Sequence, residues 1–479
     1  MSKSDQPPST DDIPPLPFKN RSFLAFLLTQ ALGAFNDNVF KQLVLLLGVG
    51  YLMLGVEYQA VVQFLFALPF LLFSGIAGDL ADKFSKGRMM VACKIAEIII
   101  ALLGVGAFLT MTNTSFLIQQ VPLYLWLLAG VTFLLGTQSA FFGPAKYGGL
   151  PELVRLGDLS QATGLTQMTT FLAIILGVAV AGLLADFLVG KMYLAGIITV
   201  GIAVFGTLSS LAIAKYPAAD PERRLNRHSF ISVLKTLAEV FQQDKLMFRI
   251  MLIYSWFWFV GGVALTAINA FGRFQLGLNN FETSLMVAVT SLGIAAGSLI
   301  VGRLSAGKIR LGLIKPAISV LVLCLLTLSL LPVHQPQTEE FVLFQQLKNT
   351  PELLEQTQIF PTATISIQLI AFALCFLLGV ASGFYSVPLL AFIQARPPVK
   401  DKGRVFAAVN WLNWIFILLS ALFYGLGFRL LNQQANLLFA ALAGLTLLIA
   451  LGFLPGLFRR LKYEKADYLH TAGTLKQLD

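Results

Sequence analysis

The sequence predicts an all-α membrane protein with about twelve transmembrane helices in two six-helix halves. Three observations carry that prediction. Of the 479 residues, 57% are hydrophobic and only 12% are charged, against about 25% charged in a soluble domain. Apolar runs long enough to cross a bilayer recur along the whole chain, separated by polar loops. Short Gly- and Arg-bearing stretches also recur at equivalent places in the two halves.

Residues 1–21 are polar and rich in proline (Pro7, Pro8, Pro14, Pro15, Pro17) and read as a disordered tail. They lack the apolar region of a cleavable signal, so the first span is expected to serve as an uncleaved targeting signal. An N-terminal bundle occupies 22–214, with spans near 22–52, 58–80, 89–111, 123–142, 162–187 and 192–214. The linker at 215–246 starts extended at Tyr216 and Pro217. It then places Phe230, Val233, Leu234, Leu237 and Phe241 on one helical face. That pattern is an amphipathic helix, lying on the inner leaflet or packed under the bundle. The C-terminal bundle, 247–458, has spans near 247–271, 284–304, 313–333, 365–390, 405–431 and 435–458, and 459–479 form a second tail.

Orientation follows from Lys and Arg. One set of loops carries Lys83, Lys86, Arg88, Arg155, Arg223, Arg310, Lys400 and Arg459 among many others, whereas the opposite set holds only Lys191, Arg273, Lys348 and Arg429. The positive-inside rule places both termini and the linker in the cytoplasm of a multi-pass inner-membrane protein. The formal charge of +10 therefore belongs to loops between spans, and no nucleic-acid partner is expected. Cys93, Cys324 and Cys375 lie far apart in apolar runs and match neither a metal spacing nor a disulfide framework. No nucleophile–base spacing, metal cluster or phosphate-cradling loop is present. The expectation is a protein that is not an enzyme and uses no cofactor or metal.

The stretch from Gln30 to Gln42 sets Asn36, Asp37, Asn38 and Lys41 well inside the first apolar run. A carboxylate at mid-bilayer depth costs several kcal/mol, about 2.5 to 3.5 on insertion scales. Two readings stand. Asp37 and Lys41, one turn apart, form an ion pair that locks the bundle, or this face lines a pathway and binds a substrate headgroup or coupling ion. Lys94 and Glu97, also one turn apart, read as a structural pair. Gln138, Gln167 and Asn410 are either interhelical glue or pathway residues. Pro144 is expected to end or kink the fourth span. It would leave Lys146 at the cytoplasmic membrane surface with Tyr147 beside it. These two are an ordinary snorkelling pair or a cationic post for a headgroup phosphate.

Residues 78–88 follow the second span and 302–310 follow the eighth; 139–144 end the fourth and 382–388 close the tenth. Such repeats point to the major facilitator architecture, with the substrate path near the midplane. Gly78, Leu80, Asp82, Gly87 and Arg88 resemble the G-x-L-x-D-x-x-G-R signature of that superfamily, with a longer step before the final pair. Gly78 permits close packing and Asp82 can cap a helix or pair with a base, so Gly78, Asp82 and Arg88 are expected to act as a conformational latch.

Several stretches together resemble the bacterial lysophospholipid transporter family, nearest the membrane half of fused transporter–acyltransferase proteins. They are Gly33-Ala34-Phe35-Asn36-Asp37-Asn38, Pro144-Ala145-Lys146-Tyr147-Gly148, Trp256-Phe257-Trp258-Phe259, Arg303-Leu304-Ser305, Val387-Pro388-Leu389 with Gln394, and Gly403-Arg404-Val405. The resemblance implies a flippase moving lysophospholipids to the cytoplasmic leaflet for re-acylation, in contact with membrane lipids and with a separate cytoplasmic acyltransferase as candidate partner. It assigns Asp37 and its flanking asparagines to the translocation pathway and Lys146 to its cytoplasmic mouth. There are two departures. None of His228, His334 or His470 opens an H-x-x-x-x-D arrangement, so an acyltransferase half is not expected. Ala264-Leu265-Thr266-Ala267 stands where the stand-alone transporters would carry an arginine. The alternative is a major facilitator transporter of a soluble amphiphile such as a drug or siderophore, since one fold serves many substrates.

Overall fold

Among the described residues, twelve long helices and one short amphipathic helix make up nearly all of the regular structure in the computed structural model. The structure describes residues 16, 20–50, 55–112, 117–118, 121–223, 225, 229, 231–305, 307–335, 337, 339–340, 343, 346 and 359–468. Most of the expected N-terminal tail, the last eleven residues of the C-terminal tail (469–479), Phe230 of the linker and most of residues 336–358 lie outside them. The helices are α1 (Arg21–Gly50), α2 (Gly55–Lys83), α3 (Lys86–Leu109), α4 (Leu123–Leu153), α5 (Leu159–Phe187), α6 (Met192–Leu211), α7 (Ser232–Gln243), α8 (Lys245–Ala270), α9 (Asn280–Leu304), α10 (Ile314–Leu330), α11 (Ile365–Ala395), α12 (Lys402–Leu430) and α13 (Ala435–Tyr468). Eleven are long and apolar enough to cross a membrane. The twelfth long helix, α1, is set apart by its polar cluster. At 1.5 Å per residue its 30 residues extend about 45 Å, beyond the roughly 30 Å hydrocarbon core.

The expected fourth and tenth spans stop short of their observed ends. Pro144 and Pro151 lie inside α4, and Pro388 lies inside α11. A proline removes one helical hydrogen bond. Neighbouring helices can supply the lost packing and polar partners, so the helix continues.

The chain divides into two compact units. The first comprises Met1–Phe248 and Ala391–Trp414, the second Arg249–Leu390 and Ile415–Asp479. In the first unit α1 packs on α5 and α6, α2 on α4, and α3 on α4 and α6. Its apolar interior forms two clusters. Phe40, Leu43, Phe108, Leu125 and Leu128 centre one; Phe23, Phe26, Met90, Leu150 and Leu159 centre the other. Asn36 and Asp37 of α1, Lys94 and Glu97 of α3, and Gln138 and Ser139 of α4 fall between the buried residues of these clusters along their helices, so a polar layer separates two apolar ends. Leu117–Ile118 pairs antiparallel with Val121–Pro122 before α4.

In the linker, Val233 and Thr236 of α7 are buried while Leu234 and Phe241 are exposed. The apolar face predicted from sequence is therefore only partly covered by protein. Asp244 ends the linker, accepts the Met247 N–H at 2.9 Å as the cap of α8, and binds the Arg396 guanidinium at 2.6 Å.

The second unit is tied together by buried polar pairs. The Tyr385 hydroxyl donates to the Ile253 carbonyl. The Gln275 amide donates to Asn436 Oδ1 at 2.7 Å and accepts the Asn436 N–H at 2.8 Å, joining the π-helical turn after α8 to the start of α13. Asn279 and Glu282 form a reciprocal capping box at the start of α9.

Candidate functional site

The polar layer of the first unit brings together α1, α3, α4 and α5. Asp37 on α1 accepts a hydrogen bond from Ser139 Oγ on α4 at 2.6 Å through one carboxylate oxygen. Its other oxygen, Oδ1, is buried and has no partner. Asn36 donates to Glu97 Oε1 at 2.8 Å, and its own Oδ1 is likewise buried and unpartnered. Glu97 binds Lys94 at 2.5 Å, with both side chains 1% exposed. A buried pair of this kind survives only when its remaining hydrogen-bonding capacity is met, and Asn36 meets part of it.

Of the two readings of Asp37 and Lys41, the ion pair does not form among the described residues. Lys41 instead places its ammonium 5.1 Å from the centre of the Phe66 ring on α2. Asp37 feels Glu97, Lys94 and Lys41 electrostatically, so these four groups form one charge cluster. Asn38 lies outside it: its amide donates to the Ala34 carbonyl of its own helix at 2.7 Å. Gln138 is buried on α4, donates to the Cys93 carbonyl at 3.2 Å and accepts from Ser139 Oγ at 3.2 Å. It therefore connects α3 to the Asp37 pair.

Lys146 lies on α4, which runs on to Leu153, and is buried inside the protein, 7% exposed. Its ammonium reaches Thr170 Oγ1 at 3.4 Å, lies 5.0 Å from the Tyr147 ring centre, and is in electrostatic reach of Asp37 and Lys94. Thr170 donates to Gln30 Oε1 at 2.6 Å, and the Gln30 amide donates to Thr169 at 2.6 Å. Tyr147 stacks on Phe406, with ring centres 5.8 Å apart. Gln167 is buried on α5 and Thr163, one turn before it, donates to Gln394. Asn410 lies within the first unit, near Gly143, with its Nδ2 buried and unpartnered. The structure thus gathers Asn36, Asp37, Gln138 and Lys146 around Lys94 and Glu97. Sequence reasoning gave no role to Ser139 or Thr170. Each partners a charge on another helix, so neither carried a signal along its own helix.

The latch residues divide. The Asp82 side chain is fully buried and accepts the N–H groups of Gly403 at 2.6 Å and Arg404 at 2.9 Å. These are first-turn donors of α12, so Asp82 caps that helix from α2, with its charge on the positive end of the helix dipole. The base beside it is Arg223 of the linker, at 3.6 Å; Arg88 is exposed on α3 instead. Arg223 also reaches Asp79 at 3.3 Å, Asp220 at 3.0 Å and Asp401 at 3.2 Å. Burial works against its charge, but Asp82, Asp220 and Asp79 outweigh burial and hold the guanidinium above its ordinary value. Arg404 adds bonds to Asp401 at 2.9 Å and Glu239 of α7 at 2.6 Å. Close approach requires glycine on both sides. A Cβ on Gly78 would come within 2.6 Å of Ala407 Cβ, and one on Gly403 within 2.8 Å of the Gly78 carbonyl oxygen.

Comparison with known proteins accords with this architecture. Residues 22–344 match the Major Facilitator Superfamily. The chain is similar to the lysophospholipid transporter LplT of Klebsiella pneumoniae subsp. pneumoniae, 29% identical over 386 residues, covering 79% of this chain and 81% of the relative. It is similar to LplT of Escherichia coli O1:K1, at 26% identity over 385 residues with the same coverage. Among solved structures it is similar to a bacterial homologue of the iron transporter ferroportin in an outward-facing state (TM-score 0.65, 14% identity, 90% of this chain and 98% of that one). It is also similar to the human organic anion transporter MFSD10 (TM-score 0.63, 13% identity, 91% and 99%). At these identities the two structures speak to the fold alone. The chain is a multi-pass membrane protein that belongs to the Major Facilitator Superfamily.

Proposed function

We propose that the protein is an inner-membrane lysophospholipid transporter that moves its substrate to the cytoplasmic leaflet, where a separate acyltransferase re-acylates it. The observation that carries this reading is the pair of buried, unpartnered acceptor oxygens on Asn36 and Asp37, in the same charge cluster as Lys146. A buried acceptor left unpaired costs about 1–3 kcal/mol, and a headgroup amine offers the missing donors. Lys146 with Thr170 supplies a cation and a hydroxyl for the phosphate of the same headgroup. The LplT relatives, similar over about four fifths of their length, favour the same substrate class.

Transport by alternating access requires the Asp82 cap on α12 to release and re-form. Both termini and the linker are cytoplasmic on this reading, which places the Asp82–Arg223 latch on the cytoplasmic side.

The test is uptake of labelled lysophosphatidylethanolamine into spheroplasts that express the intact protein, Asp37→Asn or Lys146→Gln at matched membrane levels. Loss in both variants supports the reading. Equal uptake with and without the protein overturns it in favour of a soluble amphiphile.

A further inference from the structure

The linker helix α7 has two unlike sides. Toward the protein it buries Val233 and Thr236 and sends Glu239 to the Arg404 guanidinium at 2.6 Å. The other side carries Ile231, Leu234 and Phe241, which are 59%, 55% and 53% exposed. Lys235 lies beside them with its side chain 78% exposed and comes no nearer Glu239 than 3.9 Å. Lys245 is exposed just beyond the end of the helix. The two acidic residues of 231–245, Glu239 and Asp244, both bind arginines of the protein, Arg404 and Arg396. The outward side therefore offers apolar groups flanked by positive charge.

The chain that follows indicates what covers that side. α7 ends at Gln243, and α8, long and apolar enough to cross a membrane, begins at Lys245, so one residue tethers α7 to the end of a span. The Phe241 ring meets Phe248, in the first turn of that span, edge-on with ring centres 5.2 Å apart. An amphipathic helix with basic flanks in this position suits the headgroup layer of an anionic leaflet, where each lysine strengthens partitioning about fivefold. The inner side of α7 meanwhile reaches the latch through a shared residue. Asp82 of α2 accepts the Arg404 backbone N–H at 2.9 Å, while Glu239 binds the Arg404 side chain. A surface shifts the latch only if it binds one arrangement better than the other. Lipid that keeps the apolar side outward favours the arrangement in which Glu239 faces Arg404.

We propose that α7 docks Ile231, Leu234 and Phe241 into the headgroup layer of an anionic leaflet and, through Glu239 on Arg404, makes closure of the Asp82 cap depend on the charge of the surrounding lipid. The partner is the lipid surface itself and not a transported molecule, and no residue of the Asp37 cluster takes part. Only the consequence for transport rests on the alternating-access reading; docking and latch release are read without substrate.

The test uses the whole protein in nanodiscs of phosphatidylcholine, alone or with phosphatidylglycerol as about a third of the lipid. Ala238, exposed on the outward side of α7, is replaced by cysteine and labelled with an environment-sensitive dye, and quenching by spin-labelled lipid reports docking. Quenching is expected to be at least twofold stronger with phosphatidylglycerol. Ile231→Ser with Leu234→Ser, or Lys235→Gln with Lys245→Gln, should abolish that difference. Latch release is read separately, as N-ethylmaleimide labelling of Ala407→Cys at the position that packs on Gly78. Labelling should slow at least fivefold with phosphatidylglycerol. Glu239→Gln should keep the docking difference and lose the lipid dependence of labelling. A direct effect of surface charge on the thiol would survive in Glu239→Gln, so an equal lipid response in that variant overturns the coupling. Quenching that is equal in the two nanodiscs, or absent from both, overturns the docking. A lipid-dependent latch without substrate uptake would overturn the transport reading only, and uptake with a latch indifferent to lipid charge this one only.

Discussion

Replacing Asp82 by asparagine tests the latch with little change in volume. The carboxylate accepts two backbone N–H groups, at 2.6 and 2.9 Å, and faces Arg223 at 3.6 Å. An asparagine can turn its carbonyl to only one of the two donors; its amide then opposes the other. One charge-assisted bond is lost, worth about 1.5–3 kcal/mol, and one buried N–H is left unpaired. Arg223 keeps Asp79, Asp220 and Asp401, so the loss at the guanidinium is smaller. The start of α12 should therefore dock on α2 less tightly by about 2–4 kcal/mol, or about 30- to 700-fold. Ala407 is 1% exposed and packs at Gly78, so a cysteine placed there reports release. The three native cysteines are buried and give a low background. Maleimide labelling of Ala407→Cys should accelerate by at least tenfold when Asp82→Asn is added. Labelling within twofold of the Asp82 parent, in protein that still elutes as a folded species, would refute the cap as the latch.

Other outcomes follow from the same geometry. Gly78→Val puts atoms where Ala407 and the Arg404 backbone already sit; overpacking costs about 1–3 kcal/mol, and this variant should label faster at the same site without any change of charge. Glu97→Leu strands Lys94 in the interior and should lower thermal stability, at a cost of about 3–5 kcal/mol. Lys94→Met with Glu97→Leu should melt above the single variant, and a lower melting point for the double would contradict a structural pair. Asp37→Asn removes a charged acceptor worth about 1.5–3 kcal/mol to a headgroup amine, so half-saturation for lysophosphatidylethanolamine should rise about 10- to 150-fold. In the second unit, burial pushes the Glu340 carboxyl up, but the Gln337 N–H and His334 outweigh it and hold the group below its ordinary 4.5. A depressed carboxyl contributes stability above its unfolded value that is lost as pH falls through the lower folded one. Acid melting curves of Glu340→Gln should therefore lose part of the pH dependence seen below about 4.5.

Much of this was legible in the chain itself. Span positions follow from apolar runs, and α1 announces itself because Asn36, Asp37 and Lys41 cannot be accidental at bilayer depth. Asp82 as a cap followed from its place after Gly78. The points the chain left undecided are long-range ones. Pro144 was open to ending or kinking the helix, and α4 continues through it to Leu153 with Lys146 buried inside the protein. The base beside Asp82, which the sequence left unnamed, is Arg223, 141 positions away and held by three further aspartates. Asp37 and Lys41 stand at the spacing of an ion pair, but the preference of Lys41 for the Phe66 ring depends on how α1 and α2 pack. The link from Lys94 through Glu97 to Asn36 joins two helices, and no periodicity along one helix encodes it.

The most direct measurement is transfer of labelled lysophosphatidylethanolamine across the membrane of proteoliposomes containing the purified protein. The account predicts protein-dependent transfer that collapses in Asp37→Asn while the variant keeps its fold. Undiminished transfer by Asp37→Asn, or transfer no faster than in protein-free liposomes, would contradict it.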